Sequence, residues 1–126
     1  MSSLVGVWKL VGARAFDDAG QEGSSPLGPS PMGVAIFDAE RGMAMTCDSR
    51  AALPPETKRA FAAYCGRYTF DGTKLVTSVD GASSPDMMED QVRHIRFDGP
   101  RRMIVVPTSR LFGRGSGLEM VWERCG

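Results

Sequence analysis

Apolar and polar residues alternate with a period of two along most of this chain, in short runs separated by Gly, Pro, Asp and Ser. That is a strand rhythm. Leu4–Phe16 reads as a strand starting near Gly6-Val7-Trp8, with Trp8, Leu10, Gly12, Arg14 and Phe16 on one face and Lys9, Val11 and Ala13 on the other. Gly33–Asp38 and Gly42–Cys47 flank the turn Ala39-Glu40-Arg41, and Arg67–Asp71 meets Lys74–Asp80 across Asp71-Gly72. Asp90–Phe97 turns at Asp98-Gly99-Pro100 into Arg102–Val106, and Leu118–Arg124 alternates Leu118, Met120, Trp122 and Arg124 against Glu119, Val121 and Glu123. Eight strands result. Asp17–Pro31, Gly81–Glu89 and Thr108–Gly117 read as loops, the first of them stiffened by Pro26, Pro29 and Pro31 and long enough to act as a lid. Ala51–Tyr64 is the one helical candidate, with Pro54-Pro55 at its start and Ala60, Phe61 and Tyr64 on one face.

Composition agrees with this reading. Gly 15 and Pro 8 in 126 residues suit a chain that turns often, and the length suits a single domain, 1–126. Eight antiparallel strands on short turns imply an all-β meander that closes into a barrel, while a sheet curled around one helix satisfies the same periodicity. Lys+Arg 15 against Asp+Glu 15 gives zero net charge, so bulk electrostatics favours no nucleic acid. No apolar run is long enough for a membrane helix, and Met1-Ser2-Ser3 lacks a secretory flank, so a cytoplasmic location is expected. Cys47, Cys65 and Cys125 form no CxxC pair, and a single His without clustered carboxylates argues against a metal. No cofactor fingerprint is present, since neither Gly113–Gly117 nor Pro26–Pro29 has the phosphate-binding pattern.

Several of these segments together resemble the bacterial lipocalin-like domain family, small barrels related in architecture to lipocalins and fatty-acid-binding proteins. They are Leu4–Val11, Pro26–Gly33, Tyr64-Cys65-Gly66-Arg67-Tyr68, Gln91-Val92-Arg93 and Trp122-Glu123-Arg124, spread over nearly the whole chain. The resemblance implies an up-and-down barrel, and with the strands and helix read from the residues the expectation is an eight-stranded antiparallel up-and-down barrel with one short helix. It also implies that Trp8 of Gly6-Val7-Trp8 packs under a last-strand arginine, here Arg124, as a structural pair. Relatives carry histidine on the strand after the Tyr-x-x-Asp-Gly hairpin, where this chain has Thr77-Ser78, so an activity tied to that histidine does not transfer.

Candidate chemistry lies on the strands. Period two puts Gln91 and Arg93 on one face with Ile95 and Phe97, and His94 on the other. The inward pair is therefore Gln91 and Arg93, and an inward guanidinium calls for either a ligand or an acidic neighbour such as Asp48 or Asp80. Tyr64 and Tyr68 could orient a carbonyl or phenol, and Met45, Met103 and Met120 suit an adaptable apolar wall. The leading reading is a binder of a small, largely apolar or aromatic molecule through Arg93, Gln91, Tyr64, Tyr68, Met45, Met103 and Met120. The alternative is a metal-independent isomerase, cyclase or lyase in the same pocket, with Arg93 stabilising an oxyanion and Tyr68, Asp80 or His94 moving the proton. A filled barrel used only for protein contacts is a third reading. A homodimer covering an apolar outer surface is compatible with all three.

Overall fold

The turns are built by their aspartates. Asp38 Oδ1 accepts from the backbone N–H of Glu40 (2.7 Å) and Arg41 (2.6 Å), which makes a tight turn without glycine. Asp71 Oδ1 accepts from Thr73 N (2.9 Å) and Lys74 N (2.7 Å) beside Gly72 at φ 105°, and Asp17 Oδ1 holds Ala19 N and Gln21 N in the same way. These local bonds set the spacing of the strands.

The computed structural model describes residues 3–23, 25, 27, 31–48, 61–108 and 117–125. Its strands are β1 (Gly6–Phe16), β2 (Glu22–Gly23), β3 (Met32–Phe37), β4 (Arg41–Cys47), β5 (Phe61–Phe70), β6 (Lys74–Ala82), β7 (Gln91–Phe97), β8 (Arg102–Pro107) and β9 (Leu118–Arg124). All pair antiparallel in the order β2-β1-β3-β4-β5-β6-β7-β8-β9, and β1 also pairs with β9. That last pairing closes an eight-stranded barrel, with β2 a two-residue appendage to β1, and decides against the open curled sheet. Of the expected helix, residues 51–60 lie outside the described residues, and Phe61–Tyr64 is strand, paired with β4 from Cys47↔Phe61 to Ala44↔Tyr64. The one described helical element is a 3-10 turn at Pro85–Met87, which seats Met87 in the core.

β1 carries a phase change. Leu10 pairs with Trp122 and Gly12 with Val121, so Val11 is a bulge and the inward set passes from Trp8 and Leu10 to Ala13 and Ala15. Arg14, expected inward, is exposed and bonds Glu22 of β2 at 2.9 Å. Opposite charges face each other on both sides of the bulge, Lys9 across from Glu123 and Arg14 across from Glu119. A register slip would separate both pairs. Leu27, after β1, is fully buried; Pro26 and Pro29 lie outside the described residues, as do residues 109–116 of the last expected loop.

One end of the core is a cluster around Trp8, fully buried, whose Nε1 donates to the Leu4 carbonyl (3.0 Å) and whose ring lies 6.5 Å from that of Phe97. Arg124 Cζ sits 4.2 Å from the Trp8 ring centroid, and its two terminal nitrogens donate to the carbonyls of Val5 and Ser3, each at 2.8 Å. The cation thus stacks on the indole and fastens the chain before β1 to β9. Gly6 makes room for this. Its φ is 132°, and a Cβ there would stand 2.9 Å from Arg124 Nη1.

Gly6→Ala is expected to lower unfolding free energy by about 1–3 kcal/mol through backbone strain and displacement of the guanidinium, measured as a lower urea midpoint with an unchanged far-UV spectrum. Backbone N–H donors hold the Asp38 and Asp71 carboxyls below the usual range. The unfolded chain therefore takes up these protons first, and the stability they give is present above about pH 4 and lost as pH falls through the lower folded values. Asp71→Ala should flatten the acid limb of a stability–pH curve.

Candidate functional site

Inside the barrel, β3 to β9 all send side chains into one pocket. Ala35 and Phe37 face Ala44 and Thr46, followed around the wall by Ala62, Tyr64 and Leu75, then Arg93 and Ile95, Met103 and Val105, and finally Met120 and Trp122. The small residues on β3 to β5 leave space that the large ones on β8 and β9 do not fill. The space that centres of water-sized molecules can occupy is about 40 Å³, and the free volume between the walls, counted out into solvent, is about 480 Å³.

The polar part of this wall is organised around Arg93, which is 3% exposed. Its Cζ lies 5.5 Å from the Tyr64 ring centroid, its Nη2 donates to Gln91 Oε1 (3.1 Å), and its Nη1 donates to the Val92 carbonyl (3.0 Å). Gln91 Nε2 in turn donates toward the carbonyls of Met87 (3.3 Å) and Glu89 (3.2 Å), so one amide links the guanidinium to the turn before β7. Thr77, 2% exposed, pairs with Gln91 across β6–β7. The result is an apolar pocket with a buried, oriented cation on one wall.

A family model described as a lipocalin-like domain matches residues 5–125. The chain belongs to this lipocalin-like domain family. No curated protein matches it significantly. The interior of this lipocalin-like barrel suits a small apolar or aromatic ligand.

Within the lipocalin-like pocket stand Arg93, Tyr64, Met103 and Met120 of the residues expected from the sequence, with Gln91 directly behind Arg93. Others stand elsewhere. Met45 shares a strand with Ala44 and Thr46 but occupies the alternate, outward position. His94 is exposed on the outer face of β7, across from Lys74 and Val106. Asp80 is also exposed and forms an ion pair with Arg41, which holds its carboxyl below the usual range. Neither His94 nor Asp80 lines the pocket. Tyr68 packs edge-on against Phe37, with ring centroids 5.2 Å apart, and its hydroxyl donates to the Asp38 carbonyl (2.5 Å).

Sequence reasoning missed Phe37, Thr46 and Trp122 as wall residues, although the alternation that selects Met120 also selects Trp122. Of Thr77-Ser78, Thr77 is buried on the inner side of β6 and Ser78 is exposed. Among the described residues, no group of three His, Cys, Asp or Glu side chains could hold a metal ion.

Burial, and then the nearby Asp38 charge, push the Tyr68 hydroxyl above its usual range. The neutral phenol is favoured in the folded state, so its contribution is intact below about pH 10 and fades as pH rises through the folded value. An absorbance titration of the two tyrosines should show a late component that Tyr68→Phe removes.

Proposed function

We propose that this domain binds a small aromatic compound of about one ring, carrying a single anionic or carbonyl oxygen that Arg93 receives inside the barrel. The observation that carries the reading is the Arg93 guanidinium, buried at an apolar wall, stacked on Tyr64 and aimed by Gln91. A charged donor with its rotamer already set contributes more to recognition than a mobile surface arginine, because little ordering remains to be done on binding. Size supports a small ligand. The space that centres of water-sized molecules can occupy is well below the several hundred Å³ of a drug-sized site, and only the volume counted out into solvent comes near that range. Phe37 and Trp122 bring aromatic rings to the wall, and Met103 and Met120 can adjust to an irregular outline.

Isomerase, cyclase or lyase chemistry would need a proton carrier beside the ligand as well as an oxyanion partner. The outward positions of Asp80 and His94, and the engagement of the Tyr68 hydroxyl by Asp38, weigh binding above turnover. Arg93 could still polarise a carbonyl with Tyr64 as its neighbour, so the binding assay is paired with a search for product.

Native mass spectrometry of freshly purified protein should reveal any retained compound, and quenching of Trp122 fluorescence should report titrations with benzoate-type anions and their neutral amides. Arg93→Met is expected to weaken the anion about 10- to 100-fold, corresponding to the loss of a charge-assisted hydrogen bond, while leaving the amide within a few-fold. Equal losses for both ligands, or no binding of either by the wild type at millimolar concentration, would sink the proposal. Conversion of a bound ligand by wild type but not by Arg93→Met would establish the catalytic reading instead.

A further inference from the structure

The outside of the barrel is not uniformly polar. Register aligns Val7 of β1 with Ile36, Met43 and Cys65 of β3, β4 and β5 in one outward row. The next row on β3 to β5 is Val34, Met45 and Ala63, with Lys9 of β1 at its edge, and the row beyond is Met32, Cys47 and Phe61, of which Cys47 is buried. No charged side chain interrupts these rows on β3, β4 and β5, and Ile36, Met43 and Phe61 are 42%, 46% and 54% exposed. Isolated apolar side chains on a surface are ordinary, whereas a contiguous sheet face of them marks a contact site.

Its dimensions fit a specific partner. With strands about 4.8 Å apart and same-face residues about 6.7 Å apart, Val7 and the uncovered outward positions of β3, β4 and β5 span roughly 290 Å². A standard interface takes about 800 Å² from each partner, a little over half of it apolar, so this face with its polar rim makes an interface at the small, weak end of the range. The charges identify the partner. A two-fold contact sets residues near the axis against their own copies, which an uncharged centre permits and a charged one would oppose. The borders hold both signs, Lys9 beside Glu123 on one side and Arg41 with Asp80 on the other. A second copy turned about the axis can therefore set cation against anion along the rim.

We propose that the outward face of β3, β4 and β5 is a homodimer interface, with two barrels stacked sheet against sheet. Sedimentation of the wild type should give twice 13.6 kDa at tens of micromolar and dissociate on dilution. Met43→Lys and Ile36→Glu should each weaken the dimer at least 100-fold, while Arg96→Glu, on the outer face of β7, should leave it intact. Far-UV circular dichroism checks that each variant folds. Cys65, exposed at the edge of the patch, supplies a readout that needs no patch variant: its alkylation should be slow in the dimer and accelerate as wild-type protein is diluted through the dissociation range. A wild type that stays monomeric at about 100 μM overturns the proposal. So does a dimer that Met43→Lys weakens no more than Arg96→Glu does, or one in which Cys65 alkylation is independent of concentration.

Discussion

A sheet rolled from eight strands has two edges, and a pocket exists here only because those edges, β1 and β9, pair with each other. Unpaired, each would present a row of backbone donors and acceptors to water or to other chains. The seam is specified at several levels at once. Opposite charges match across it on either side of Val11, the bulge lets its two halves keep an apolar inner face, and Arg124 fastens β9 to Trp8 and to the carbonyls of Ser3 and Val5. Gly6 belongs to the same device, since the guanidinium occupies space that a side chain there would need.

The interior inherits its division of labour from this closure. Aromatic and aliphatic bulk gathers around Trp8, Phe97 and Phe70, while small residues on β3, β4 and β5 keep space open in front of Arg93. Tyr64 and Gln91 hold the Arg93 guanidinium from two sides, and Gln91 also reaches the turn at Met87–Glu89. A ligand drawing on Arg93 thus acts on a group whose position is shared with a surface turn.

Features governed by near neighbours were legible in the sequence. The hairpins at Ala39-Glu40-Arg41, Asp71-Gly72 and Asp98-Gly99-Pro100 were legible because such turns depend on residues a few positions apart, although the part of Asp38 in the first was not, and period two was enough to place Arg93 and His94 on opposite faces of β7. Features that depend on a distant strand were not. Nothing in Val11 marks a bulge, which exists only against Trp122 and Val121, so the second half of β1 read in the wrong phase. Phe61–Tyr64 has the spacing of a helix face but is drawn into the sheet by its ladder with β4, a tertiary demand that overrides local preference. Met45 was chosen for its side-chain type, although its neighbours Ala44 and Thr46 hold the inward positions.

The Arg124 clamp also has a kinetic side. Arg124 and Val5 are 119 positions apart, and bringing such distant segments together costs about 3 kcal/mol more chain entropy than closing a tight hairpin loop. Every other neighbouring pair in the barrel joins strands that follow closely in the chain. The seam is thus the contact that raises the contact order of an otherwise local meander. Until it forms, β1 and β9 are open edges, and Lys9, Arg14, Glu119 and Glu123 are the charges that discourage stray pairing there. The residues that set the register of the finished barrel are also those that keep its two edges from pairing elsewhere.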